Sequence, residues 1–157
     1  MEALVDPRER DASVRATSRS VDGQLDMRFN VRAEDLGTVR DIVAAHLGWW
    51  RVDSGTAFRM LTVVNELLTN VLQHTPADAD GRRMASLLLQ RVPDGITAIV
   101  RDHDRCPPVY SSPTLLAEEG RGLMLLSALA DDTSVSVTSA GKDVWVLIAP
   151  PEPTEHS

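Results

Sequence analysis

The sequence predicts an α+β fold, a two-layer α/β sandwich with a mixed, mostly antiparallel sheet. Two observations favour this class. Apolar runs joined by short turns form hairpins at residues 83–102 and 134–149, and such hairpins are typical of antiparallel pairing. Two amphipathic helices follow each other ahead of these hairpins, whereas a doubly wound parallel sheet would alternate strands with helices.

The first half of the chain contains one strand and two helices. Alternate apolar residues over 24–31 predict a half-buried strand. Residues 33–50 carry apolar side chains at helical spacing. A second helix, capped by Asp53 or Ser54, is expected to run to about His74, because a proline follows shortly afterwards.

The second half contains two hairpins on either side of a loop and a short helix. The first hairpin joins 83–92 to 96–102 through a Pro-Asp-Gly turn. Several prolines and the lack of periodicity predict an irregular loop over 103–119. Residues 122–130 are almost entirely apolar and predict a short, mostly buried helix before the second hairpin.

Length and composition indicate one folded domain. The chain has 157 residues, of which 43% are hydrophobic and 25% charged, as in ordinary globular domains. We expect a flexible leader at 1–23, the folded domain at 24–149 and a disordered tail at 150–157. No apolar stretch is long enough to span a membrane, and the first residues lack the apolar segment of a secretory signal. A cytoplasmic location is therefore expected.

Charge and cysteine content exclude further classes. Sixteen Lys and Arg against 23 Asp and Glu give a formal net charge of −7, which disfavours direct binding to nucleic acid. Cys106 is the single cysteine, so an internal disulfide is impossible and a thiolate zinc site is disfavoured.

The first candidate site lies on the second helix. Glu66, Asn70 and His74 are spaced four residues apart, so they form one polar stripe beside the apolar face. A glutamate can accept a proton, and a carboxamide oxygen is a suitable ligand for Mg²⁺. A solvated polar stripe has the same pattern, and His74 alone also fits a capping or packing residue.

Two further candidates follow along the chain. Asp102 ends a buried strand, where its carboxylate could accept a hydrogen bond from a ligand amine, although an aspartate that opens a loop has the same position. Gly120, Arg121 and Gly122 directly precede a predicted helix. Glycines allow a phosphate to approach the backbone, and a helix N-terminus offers free N–H groups; a glycine turn with a helix cap is the alternative.

Together these features resemble the GHKL (Bergerat-fold) ATP-binding family. The resemblance rests on E-L-L-x-N-x-x-x-H in a helix, a strand ending in Asp, a loop, G-R-G-L before a helix, and a final hairpin with G-K-D-V-W-V. It covers roughly residues 24–149. Within the family, the chain looks most similar to the stand-alone anti-sigma-factor serine/threonine kinases and related small actinobacterial regulators.

The resemblance implies a role for each candidate in binding ATP and Mg²⁺. Glu66 matches the catalytic carboxylate, the general base for the attacking hydroxyl. Asn70 matches the residue that holds Mg²⁺ at the phosphates, and His74 matches the end of the same motif. Asp102 matches the aspartate that accepts a hydrogen bond from the adenine amino group.

The resemblance also assigns the loop residues. Gly120 and Gly122 match the second glycine motif, and Arg121 lies where a cation would meet the terminal phosphates. Residues 103–119 correspond to the lid over the nucleotide. The chain departs from the family at the first glycine box, where Asp104 replaces an expected glycine and adds a negative charge near the nucleotide; Cys106 replaces another.

The resemblance implies an Mg-ATP-dependent kinase. Such a protein phosphorylates a serine or threonine of an anti-anti-sigma (STAS) partner and sequesters a sigma factor, and the resemblance also suggests a homodimer. The alternative is a non-catalytic module of the same fold that binds its partner with weak or lost nucleotide binding. The altered glycine box favours the module, and retention of Glu66 and Asn70 favours the kinase.

Overall fold

The structure, a computed structural model, describes residues 17–102, 126, 128–139 and 141–151. Two long helices and a six-stranded sheet make up the described part. The strands are β1 (Thr17–Val21), β2 (Gln24–Asn30), β3 (Met84–Val92), β4 (Gly95–Asp102), β5 (Asp132–Thr138) and β6 (Gly141–Ile148). The helices are α1 (Leu36–Trp49), which follows a 3-10 turn at Ala33–Asp35, and α2 (Ser54–His74).

The strands lie in the order β1-β2-β3-β4-β6-β5, and all five pairings between them are antiparallel. The predicted two-layer α+β fold is thereby confirmed, although the described sheet is antiparallel and not mixed. Strand β1 lies within the range 1–23, where the sequence predicts no regular structure, and it pairs with β2 from Thr17 opposite Arg28. Residues 1–16 and 152–157 lie outside the described residues.

The core lies between the two helices and one face of the sheet. Buried and less buried residues alternate along β2, β3 and β4, as expected for strands with one face against the core. The inner face of these strands carries Leu25, Met27, Phe29, Ala85, Leu87, Leu89, Ile96, Ala98 and Val100. This alternation decides which face of β4 its last residue belongs to.

Helix α2 has the predicted bounds. Its N-cap is Asp53, whose Oδ2 accepts a hydrogen bond from the Thr56 N–H at 3.0 Å, and hydrogen bonding by Thr56 lowers the pKa of the Asp53 carboxyl. The helix ends at His74, and the Thr75 N–H donates to the Val71 carbonyl at 3.0 Å. Neither α1 nor α2, the long helices of the described part, combines the length and apolar character needed to cross a membrane.

The two predicted hairpins are present as β3-β4 and β5-β6. The predicted loop at 103–119 lies outside the described residues. Of the predicted helix at 122–130, the structure describes residues 126 and 128–130. There, positions 126, 128 and 129 are helical, and Leu126 is buried in the core. Leu126 therefore packs in the same core as the apolar face of α2.

Candidate functional site

Helix α2 holds the predicted polar stripe at the edge of the core. Glu66, Asn70 and His74 are all half-buried, while Leu67 and Val71 beside them are buried. Their four-residue spacing brings the three side chains to one side of the helix, successive members one turn apart. A half-buried stripe at the boundary of core and solvent is accessible to a ligand and yet partly shielded from water.

Asp102 lies on the inner face of the sheet. Residues 96, 98 and 100 of β4 point into the core, and Asp102 continues this row with only 7% of its surface exposed. A buried carboxylate requires polar partners, because transfer of a charge out of water is costly unless it is compensated. The sequence predicts that Asp102 ends a strand, but only the register assigns it to the helix-facing side.

A hydrogen bond joins α2 to Asp102. The Thr75 hydroxyl, at the C-cap of α2, donates to Oδ2 of Asp102. At 1.5 Å per helical residue, Asn70 lies about 7 Å and Glu66 about 13 Å along the axis from Thr75. Along the axis of α2, the contact to Asp102 therefore comes at the C-terminal end, followed by Asn70 and then Glu66.

The backbone of Thr75 is held on both sides. Besides the N–H bond to Val71, its carbonyl accepts a hydrogen bond from Arg83 Nε at 2.8 Å. The Arg83 N–H in turn donates to Asn30 Oδ1 at 2.8 Å. The residue that contacts Asp102 is therefore anchored to α2 and to the neighbouring ends of β2 and β3.

The N-terminal half of α2 is attached to the segment around residue 130. Arg59 donates to the Leu129 carbonyl at 2.9 Å, the Ala149 carbonyl at 3.3 Å and Asp131 Oδ2 at 3.0 Å. Asp131 also accepts the Ala149 N–H at 2.7 Å. This N–H and, less strongly, Arg59 lower the pKa of the Asp131 carboxyl. We call Arg59, Asp131 and these two carbonyls the Arg59 clasp.

The predicted phosphate-binding residues are not among those that the structure describes. Gly120, Arg121 and Gly122 fall in the gap between residues 102 and 126, together with Asp104 and Cys106 of the altered glycine box. Their assignments remain predictions. The structure does describe both sides of that gap, because Asp102 precedes it directly and Leu126 follows it.

The oxygen donors on α2 fit a magnesium ion that is shared with phosphates. Mg²⁺ uses one or two protein oxygens and completes its octahedron with phosphate oxygens and water. Asn70 supplies such an oxygen on the half-buried stripe. Among the described residues no group of three or more His, Cys, Asp and Glu side chains could hold a metal by itself.

Comparison with known families identifies the domain. A model described as the histidine kinase-like ATPase domain matches residues 29–148. This range runs from the end of β2 to the end of β6 and includes all the candidate residues. The chain belongs to this family. Membership confirms the resemblance to GHKL ATP-binding proteins and makes the chain a histidine kinase-like ATPase domain.

Comparison with solved structures supports the same fold. The chain is similar to the crystal structure of the RsbU and RsbW domains of Rv1364c from Mycobacterium tuberculosis, with a TM-score of 0.64 and 16% identity. The match covers 83% of this chain and 33% of that one, so the chain spans about a third of that protein's length. At this identity the similarity concerns the fold. No curated protein matches the chain.

Two contact residues of the site region were not predicted from the sequence. Thr75 had a usable signal, since a residue between a helix end and Pro76 is forced out of helical geometry and its hydroxyl is freed for other partners. Its acceptor, Asp102, is 27 residues away and follows only from strand register. Arg59 had no signal, because its partners belong to chain segments 70 to 90 residues away.

Proposed function

We propose that this histidine kinase-like ATPase domain binds Mg-ATP, transfers its γ-phosphoryl group to a serine or threonine of a STAS-type anti-anti-sigma protein, and sequesters a sigma factor. The observation that carries this proposal is the order along the α2 axis of the contact to Asp102, of Asn70 and of Glu66. Asp102 is tied to the C-terminal end of α2, and the other two follow at about 7 Å and 13 Å along the helix.

This order matches the order of groups in Mg-ATP. The Asp102 carboxylate, on the inner face at the end of β4, accepts a hydrogen bond from the adenine amino group. Asn70 would hold Mg²⁺, which when bound neutralises charge on the phosphates. Along the helix axis Glu66 comes after Asn70 when counted from the contact to Asp102, so in this proposal it stands at the end where the terminal phosphate and the attacking hydroxyl meet.

Glu66 is the proposed general base. As the hydroxyl oxygen of the substrate bonds to the γ-phosphorus, the bond from phosphorus to the β-γ bridging oxygen breaks and ADP leaves. The hydroxyl proton passes to the Glu66 carboxylate. Phosphoryl transfer depends mainly on positioning and charge neutralisation, so a single carboxylate on a rigid helix is a sufficient proton acceptor.

Two coarser findings support the kinase-like part of the proposal. The chain belongs to the histidine kinase-like ATPase family, and its fold is similar to a structure that combines an RsbU with an RsbW domain. The family supports an ATP-using, kinase-like domain, and the similar structure supports the fold. The sigma factor and the STAS protein themselves come from the resemblance of the motifs to anti-sigma-factor kinases.

A partner-binding module without catalysis is the second candidate function. Its support is the string DHDRC at residues 102–106, which places Asp104 where the family has glycine. A carboxylate at that point opposes a polyanionic ligand. In this case the fold would hold its partner, and the nucleotide would contribute little.

The change Glu66→Gln separates the two functions. It keeps the size of the side chain but removes the proton acceptor, so the kinase should lose about 10²–10⁴-fold in phosphoryl transfer and still bind Mg-ATP. The assay uses radiolabelled ATP, the full chain and a purified serine-bearing STAS-domain protein. Asp41→Asn, an exposed carboxylate on α1, is the matched control. No transfer by the wild type with intact partner binding would favour the module, and full transfer by Glu66→Gln would remove Glu66 as the base.

A further inference from the structure

We infer that Thr75 is a positioning residue that determines recognition of the adenine amino group, because its hydroxyl fixes the orientation of the Asp102 carboxylate. The inference rests on the proposed function, in which Asp102 accepts a hydrogen bond from that amine. Thr75 itself does not need to touch the nucleotide.

The hydrogen bond is made in a shielded position. Thr75 and Asp102 are each only 7% exposed, and the Thr75 hydroxyl donates directly to Asp102 Oδ2. Away from water a hydrogen bond to a carboxylate is stronger than at the surface. Removal of this donor should therefore disturb Asp102 more than removal of a similar donor would disturb an exposed carboxylate.

Side-chain torsions explain why a carboxylate needs such a partner. The terminal torsion of aspartate is broad, so the carboxylate plane is not set by rotamer preference alone. Threonine, which is β-branched, has few allowed rotamers, and the backbone on both sides of this one is held by Val71 and Arg83. A rigid donor thus sets the plane of a flexible acceptor.

The alternative is that Thr75 serves only to end α2. The contacts that end the helix are made by its backbone, through the N–H to Val71 and the carbonyl to Arg83. Thr75→Val keeps both backbone contacts and the β-branched shape, and it removes the hydroxyl alone. The substitution therefore separates a structural role from a positioning role.

Two nucleotides reveal the positioning role. Purine riboside triphosphate resembles ATP but lacks the 6-amino group, so its binding should not depend on the orientation of Asp102. We expect Thr75→Val to weaken Mg-ATP binding about three- to tenfold, the range for one hydrogen bond, and to change binding of the purine analogue less than twofold. Thr75→Ser, which keeps the donor, should bind ATP like the wild type.

The measurement is calorimetric titration of the full chain with each nucleotide. Thr97→Val is the matched control, since Thr97 is on β4 but on the opposite face from Asp102 and its hydroxyl bonds to the Gln90 carbonyl. If Thr75→Val unfolds, Thr75→Cys takes its place, because a thiol of similar size is a much weaker donor. Thr75→Cys should also weaken binding of Mg-ATP.

The outcomes distinguish this inference from the proposed function. Equal weakening for ATP and the purine analogue, or unchanged ATP affinity, overturns the role of Thr75 while nucleotide binding stands. A wild-type chain that binds neither nucleotide overturns the proposed function, and the inference with it. Selective loss for ATP with rescue by Thr75→Ser supports both.

Discussion

The Arg59 clasp should contribute measurably to the stability of the domain. Arg59 links α2 to both Leu129 and Ala149, through carbonyl contacts at 2.9 Å and 3.3 Å. Arg59→Met keeps most of the aliphatic length of the side chain and removes every hydrogen bond of the guanidinium. The result therefore reports the polar contacts rather than lost packing.

The expected loss follows from exposure and geometry. The ion pair between Arg59 and Asp131 is 31% and 45% exposed, so it contributes about 0.2–1 kcal/mol. Each carbonyl contact adds about 0.5–1.5 kcal/mol, less at 3.3 Å than at 2.9 Å. The total is about 2 kcal/mol, which for a chain of this length lowers the melting temperature by about 4–8 °C.

This loss is measured by thermal and urea unfolding of Arg59→Met. The control is Arg40→Met, which changes an exposed arginine on α1. The pKa of Asp131 is lowered in the folded state, so its contribution is complete above the ordinary aspartate pKa and is lost as the pH falls through the lowered value. The difference between Arg59→Met and wild type should therefore shrink in acid. A loss no greater than that of Arg40→Met would refute the reasoning.

Two further predictions concern the nucleotide. Asn70→Ala should weaken binding of Mg-ATP more than binding of metal-free ATP, since the lost oxygen is a magnesium ligand; equal losses in titrations with and without Mg²⁺ would contradict this role. Asp104→Gly should tighten ATP binding by about 1 kcal/mol, because it removes a charge near a polyanion, and more so at low salt. Equal or weaker affinity at low salt would show that Asp104 does not oppose the nucleotide.

Most of the fold could be predicted because its signals are local. The alternation of Leu25, Met27 and Phe29 and the helical spacing of α2 are readable without knowledge of any partner, and Asp53 is the N-cap in the structure as well. Strand β1 was not predicted, since TSRSV has one large apolar residue and forms an edge strand through backbone pairing to β2. Backbone pairing leaves no pattern in side chains.

The sequence predicted individual residues of the site but not the contacts between them. Glu66 and Asn70 belong to one helix, where spacing determines that they share a face, and the half-buried positions agree with it. Asp102 faces the helix layer because of the way inward and outward residues alternate along β4. Its hydrogen bond to Thr75 joins residues that are 27 positions apart in the sequence. Both follow from the pairing of β4 between β3 and β6, which no single segment encodes.

The two attachments of α2 have different consequences for function. The Arg59 clasp holds the N-terminal half of the helix to segments that follow residues 103–125 in sequence, and Thr75 holds the C-terminal end to β4, which precedes them. Glu66 and Asn70 lie between these two points on one continuous helix. Because a helix of this length is stiff, the two attachments, together with the packing of its apolar face in the core, set where Glu66 and Asn70 stand relative to Asp102. A mutation in the clasp should thus act on stability first, whereas a mutation at Thr75 should act on the choice of nucleotide.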